Sequence, residues 1–209
     1  MAVSRRLAGI YRGSRGRSLR LGTCSLRRSV VTSPGPSILD LVQTAPPADR
    51  AQLTVQLLED QVADQLAGLA YLQSQPFVNT SRIAVMGGSF GGILTLLGAE
   101  ANPGYTAAVD CSGAAQSWDG NTPLQARLKQ AVASINIPVF LLQAQNDFNL
   151  APTQTLGTLF VQLNKPVKSQ IYPPFGSGAI GQEGHNMCFT GADVWADDAI
   201  QFIAASQGQ

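Results

Sequence analysis

The chain is poor in the residues that build metal and disulfide centres. Its 209 residues hold one histidine and three cysteines, Cys24, Cys111 and Cys188. Three scattered thiols are too few and odd in number for a disulfide framework or a zinc site, and a single histidine argues against any metal centre. Neither a metal nor a cofactor is therefore expected. No run of about 18 or more apolar residues occurs, so no segment is expected to span a bilayer. Acidic residues are missing from the first 31 positions, which carry eight arginines; the remainder holds six Lys and Arg against thirteen Asp and Glu, a net of −7. A body of that sign is not expected to bind nucleic acid.

Residues 1–33 are rich in Arg, Ser and Gly, lack a sustained apolar period, and are expected to be a disordered basic segment. An organellar transit peptide, a basic arm for anionic surfaces and an aberrant start are the three competing explanations. A secretory signal is excluded by the missing apolar core, and the expected location is cytoplasmic. One domain is expected over residues 34–209.

That domain opens with a proline-bearing loop, 34–49. Leu53, Leu57, Leu58, Val62, Leu66, Leu69 and Leu72 then recur at spacings of three and four, which predicts a helix over 50–74 with one buried stripe. Alternation follows. Apolar runs at 82–87, 105–110, 137–143 and 167–172 read as strands, and the segments near 90–101, 122–134, 152–163 and 191–205 read as helices. Apolar strands separated by helices predict an α/β fold, a mostly parallel sheet covered on both faces in three layers.

Gly87-Gly88-Ser89-Phe90-Gly91 falls where the first strand pattern meets the first crossover helix. This is a nucleophile-elbow pattern: the serine sits on a strained strand-to-helix turn, and the residues two before and two after it are expected to be small because strand and helix crowd there. The adjoining helix N-terminus supplies positive potential to a developing oxyanion, with the Phe90 amide as first donor. An idle serine in a glycine turn is the bland alternative.

A serine hydroxyl needs a base. His185, in Gly-Gln-Glu-Gly-His-Asn, is expected on a loop between the last strand and the last helix, at the same sheet edge as Ser89. The third member is expected after a strand and between the other two in sequence, where Asp147 follows the run from Val139. Asp110, Asp119 and Glu183 are its competitors. Trp118, Phe148 and Phe175 follow successive strand ends and are candidate substrate-binding residues, with buried packing as the alternative. Cys188, three residues after His185, reads as a small buried thiol.

From about Asp49 onward, the motifs RIAVMGGSFGG, QNDFNLAP and GHNMCFTGADVW give the chain a resemblance to alpha/beta-hydrolases of the dienelactone-hydrolase-like group, which in turn resembles the catalytic domains of prolyl-oligopeptidase-like peptidases. Dienelactone hydrolases proper carry cysteine at the position of Ser89, so the resemblance implies a serine esterase acting on small-molecule esters or lactones through an acyl-enzyme. Peptide-bond hydrolysis and a non-enzymatic remnant are the alternatives. A hydrolase of this type has several strands before the elbow, one leading to a second oxyanion amide. Arg27-Arg28 and Ser33-Pro-Gly-Pro36 look like flanks of that loop, with Ser29-Val-Val-Thr32 in place of the expected glycines. The N-terminal strands are therefore expected to be missing or replaced. That would expose the edge of strand 82–87, favouring aggregation, a partner strand or an unusual dimer. Loss of one donor would cost about 100- to 1000-fold in turnover.

Overall fold

Side chains alternate across a strand, and in this chain the alternation separates two cores. The computed structural model describes residues 44–101 and 104–208. Helix α1 (Pro47–Gln73) is followed by β1 (Ile83–Gly88), α2 (Phe90–Glu100), β2 (Tyr105–Cys111), α3 (Thr122–Ser134), β3 (Val139–Ala144), α4 (Ala151–Gln162), β4 (Val167–Tyr172), α5 (Gln182–Thr190) and α6 (Ala192–Ser206). Ala108, Val139 and Leu141 enter one buried cluster; Val109, Cys111, Phe140, Leu142 and Ala144 enter another on the opposite face.

The four strands are parallel and lie in sequence order, β1-β2-β3-β4. Right-handed crossovers that always step in the same direction put their helices on one side. Accordingly α2, α3 and α4 share the first cluster through Ile93, Leu96, Leu128, Val132, Leu156 and Phe160, joined by Val55 and Leu58 of α1. The second face is covered by the two helices C-terminal to β4, through Met187 of α5 and Ala199, Phe202 and Ile203 of α6. The result is the three-layer α/β architecture expected from the sequence.

Arg127 of α3 ties the first layer together at its rim, donating to Glu59 of α1 at 2.7 Å and to Glu100 of α2 at 2.5 Å. On the other side Tyr172 and Lys168 of β4 both reach Asp198 of α6, at 2.6 and 3.0 Å. Among the described residues β1 pairs with β2 alone and forms one edge of the sheet, with Met86 40% exposed. The basic segment 1–33 and any strand upstream of α1 fall outside the described residues.

Two expectations need correction. His185 stands within helix α5 and not on a loop. Cys111 and Cys188 are joined in a disulfide, with Cα atoms 5.8 Å apart, so Cys188 is not a free thiol.

Candidate active site

Ser89 sits between β1 and α2 with φ 58° and ψ −118°, a conformation that costs a residue with a side chain of order 1–3 kcal/mol and persists only where the surroundings impose it. Those surroundings are specific. The Ser89 amide donates to the Cys111 carbonyl at 2.9 Å, extending the β1–β2 ladder by one rung into the turn. The first turn of α2 closes back on the Ser89 carbonyl through the Gly92 and Ile93 amides. A methyl group at Gly87 would collide with the Gly91 carbonyl, so the small residue two before the serine is required by crowding. The one two after is not: a methyl at Gly91 would meet nothing within 4 Å, whereas at Gly92 it would strike Asp110 and come within 3.0 Å of Gly113. The second crowded position is therefore one residue later than expected.

Asp147 follows β3 by three residues and is buried together with His185. His185 Nδ1 lies 2.9 Å from Asp147 Oδ1, which assigns the proton to Nδ1 in the neutral ring and leaves the Nε2 lone pair free. Burial pushes the Asp147 pKa up, but hydrogen bonds from His185, Ser112, Gln143 and the Phe148 amide together outweigh it and hold the carboxyl below its ordinary value. Gln143 Nε2 donates at 3.0 Å to Asp147 Oδ2 and at 2.8 Å to the Asn149 carbonyl, fixing the second carboxylate oxygen. His185 Nε2 is buried and makes no hydrogen bond, so it is not bonded to the Ser89 hydroxyl in this state. Catalytic hydrogen bonds of this kind commonly close only when substrate is present.

Helix α5 lies directly against the elbow. A methyl built on Gly88 would be 3.2 Å from Cys188 Cβ and 3.3 Å from the Phe189 ring, and that ring is 6.0 Å from the imidazole. The approach of α5 to the Asp147 turn depends on Gly184, where any Cβ would overlap the Asn146 carbonyl and the Asp147 amide. Asn146 organises the entry to α5. Its Nδ2 donates to the carbonyls of Phe175 and Ala179 at 2.9 and 2.8 Å, its Oδ1 accepts from the Phe175 amide at 2.8 Å, and its own carbonyl accepts from the Gly181 amide at 2.8 Å.

Two of the competing acids, Asp110 and Glu183, are engaged elsewhere, and Asp119 is exposed. Asp110 accepts from the Gly113 amide at 2.8 Å, and burial raises its pKa from 3.8 to about 7. Glu183 Oε2 accepts from the Ser177 amide and hydroxyl at 2.7 and 2.6 Å and so closes the 177–179 turn. Of the three aromatic candidates, Phe148 stands edge-on to His185, ring centroids 5.4 Å apart, and is 42% exposed. Phe175 packs over Gly191 in the α5–α6 core. Trp118 is buried in the same cluster as Leu124 and Leu128, which is the packing alternative. Two surface depressions, of about 550 and 370 Å³, lie between α3 and α4 and beside Arg127, away from His185.

Sequence reasoning missed Ser112, Gln143 and Asn146. Gln143 sits at an inward strand position, where a buried amide four residues before a candidate aspartate is a readable signal. Ser112 and Asn146 had none beyond their proximity in sequence to Asp110 and Asp147.

The family model of the prolyl oligopeptidase family matches residues 51–120, which span the elbow but stop short of Asp147 and His185. Among solved structures, dipeptidyl peptidase 4 of Porphyromonas gingivalis superposes with a TM-score of 0.53 at 18% identity, covering 69% of this chain and 22% of that one. A Bacteroides ovatus protein described as a dipeptidyl aminopeptidase IV gives 0.54 at 17%, covering 71% and 23%. The superpositions show a fold shared with those two structures. The chain spans less than a quarter of the length of those structures, and no curated protein sequence matches it. The matches lie on the prolyl-oligopeptidase side of the resemblance and do not support the dienelactone-hydrolase and serine-esterase side.

Proposed function

We propose that this chain is a serine hydrolase that cleaves peptide bonds through an acyl-enzyme. The observation that carries the reading is the buried His185–Asp147 pair, whose imidazole keeps Nε2 free on a helix packed against the strained Ser89 turn. In the proposed reaction Nε2 takes the Ser89 proton as Oγ attacks the carbonyl carbon, and Asp147 stabilises the imidazolium that forms. The carbonyl oxygen becomes an oxyanion at the N-terminus of α2, where the Phe90 amide donates to it. Collapse of the adduct breaks the C–N bond and passes the proton from Nε2 to the leaving amine. Water then repeats the sequence, with Nε2 as base, and releases the acid and the serine.

Peptides are favoured over esters as substrates because the matching family model is that of prolyl oligopeptidases. The exposed ring of Phe148 beside the imidazole offers an apolar surface for a side chain of the substrate. Comparing matched peptidyl p-nitroanilides and p-nitrophenyl esters tests the assignment. Release of p-nitroaniline that disappears in Ser89→Ala supports it, release from esters alone returns the chain to the esterase reading, and release from neither by folded protein removes the enzymatic reading.

A further inference from the structure

The disulfide joins the two halves of the candidate site. Cys111 ends β2 opposite Gly88, and its carbonyl holds the Ser89 amide. Cys188 lies one turn after His185 on α5. A bond between positions 77 residues apart therefore runs from the rung that fixes the serine to the helix that carries the imidazole. Ser112, next after Cys111, reaches the same carboxylate that orients His185, and its Oγ lies 3.2 Å from Cys188 Sγ.

Helix α5 has only nine residues, too few to be stable by itself, and it has no side-chain cap at its N-terminus. Its other polar anchors include the Gly181–Asn146 backbone bond at the entry, the His185–Asp147 bond in the first turn and the bond from Trp195 Nε1 to the Met187 carbonyl at the exit. None of these three bonds reaches the elbow, which α5 otherwise meets through packing of the Phe189 ring near Gly88. The disulfide is the covalent contact that does.

We propose that the Cys111–Cys188 disulfide is a positioning element for His185, and that its reduction by a dithiol is a switch that releases α5 from the elbow and turns the site off. A thiolate of the reductant attacks Sγ of Cys188, a half-buried residue where Cys111 is fully buried; Cys111 leaves as a thiolate and takes up a proton. The second thiol of the reductant then resolves the mixed disulfide. Two protein thiols and one oxidised reductant result, a two-electron exchange. In the cytoplasm, the location expected from sequence, such a bond would be held reduced, whereas an oxidising compartment would keep it intact. Only the activity readout of this proposal rests on the serine-hydrolase reading.

The test uses the 209-residue chain carrying Cys24→Ser, so that two thiols remain, oxidised or treated with dithiothreitol and reoxidised. Because the chain has a single histidine, the low-field Nδ1 proton of His185 is a unique NMR signal for its bond to Asp147. The oxidised protein is expected to show this signal and to react with a fluorophosphonate. Reduction is expected to abolish the signal and slow labelling at least tenfold at unchanged far-UV circular dichroism, with both recovered on reoxidation. Identical signal and labelling in the two states would overturn the proposal, as would two free thiols in protein prepared under oxidising conditions or global unfolding on reduction. A signal lost only on reduction, with no labelling in either state, would uphold the positioning role and sink the hydrolase reading instead.

Discussion

Gly184 packs its α-carbon against the peptide that joins Asn146 to Asp147, leaving no room there for a side chain. This contact sets the distance between the helix that carries His185 and the turn that carries Asp147. In Gly184→Ala the helix must shift, at a cost of about 1–3 kcal/mol for overpacking. A displacement on the order of 1 Å is enough to lower turnover by about 100-fold. Thermal unfolding and steady-state kinetics on the same sample check both figures, and a variant with unchanged turnover would show that the contact does not govern the His185–Asp147 geometry.

Asn146 is expected to matter through the loop it holds. Asn146→Ala leaves the Phe175 amide and the carbonyls of Phe175 and Ala179 without their partner, a loss of about 2–3 kcal/mol. Limited proteolysis should then cut within 175–181 under conditions where the parent chain is resistant.

The two glycines after the elbow should behave oppositely. Gly91→Ala has open space and gains helix propensity, so its stability is expected to equal or exceed the parent by up to about 1 kcal/mol. Gly92→Ala drives a methyl into Asp110 and is expected to lose about 1–3 kcal/mol. Urea unfolding of the pair decides the matter, and equal midpoints would contradict the packing described.

Asp110 gives the domain a pH dependence of definite sign. Its folded pKa of about 7 lies above the ordinary 3.8, so the native state holds a proton that the unfolded chain has already released. That contribution is fully present below pH 3.8, falls as pH rises towards 7, and is absent above. The window corresponds to an upper bound of about 4 kcal/mol. Asp110→Asn keeps an acceptor for the Gly113 amide without the charge. The variant is expected to be more stable than the parent at pH 8 and to show little advantage at pH 4, by unfolding midpoints at the two values.

The strand pattern and the elbow were legible because a parallel sheet buried on both faces leaves nearly continuous apolar runs, and because crowding at the strained turn demands glycine two before the serine; the second crowded position, Gly92, lies one residue beyond the expected offset. His185 was harder to place. Gly181 and Gly184 read as loop residues, yet Gly184 is helical, and its lack of a side chain serves the close contact with Asn146 and not a turn. Likewise Val55 is buried in α1 although it falls between the expected stripe positions, since α1 packs against both α2 and α3. The disulfide depends on the β1–β2 register, which sets Cys111 opposite Gly88, and on the tilt of α5. Neither is written in the local spacing of three cysteines.

The central claim is that Ser89 is activated by His185, and covalent titration tests it most directly. A fluorophosphonate is expected to modify one equivalent of folded protein at Ser89, with no modification in Ser89→Ala and labelling slowed on the order of 1000-fold in His185→Ala. Equal labelling rates with and without His185, or modification at another residue, would contradict the account.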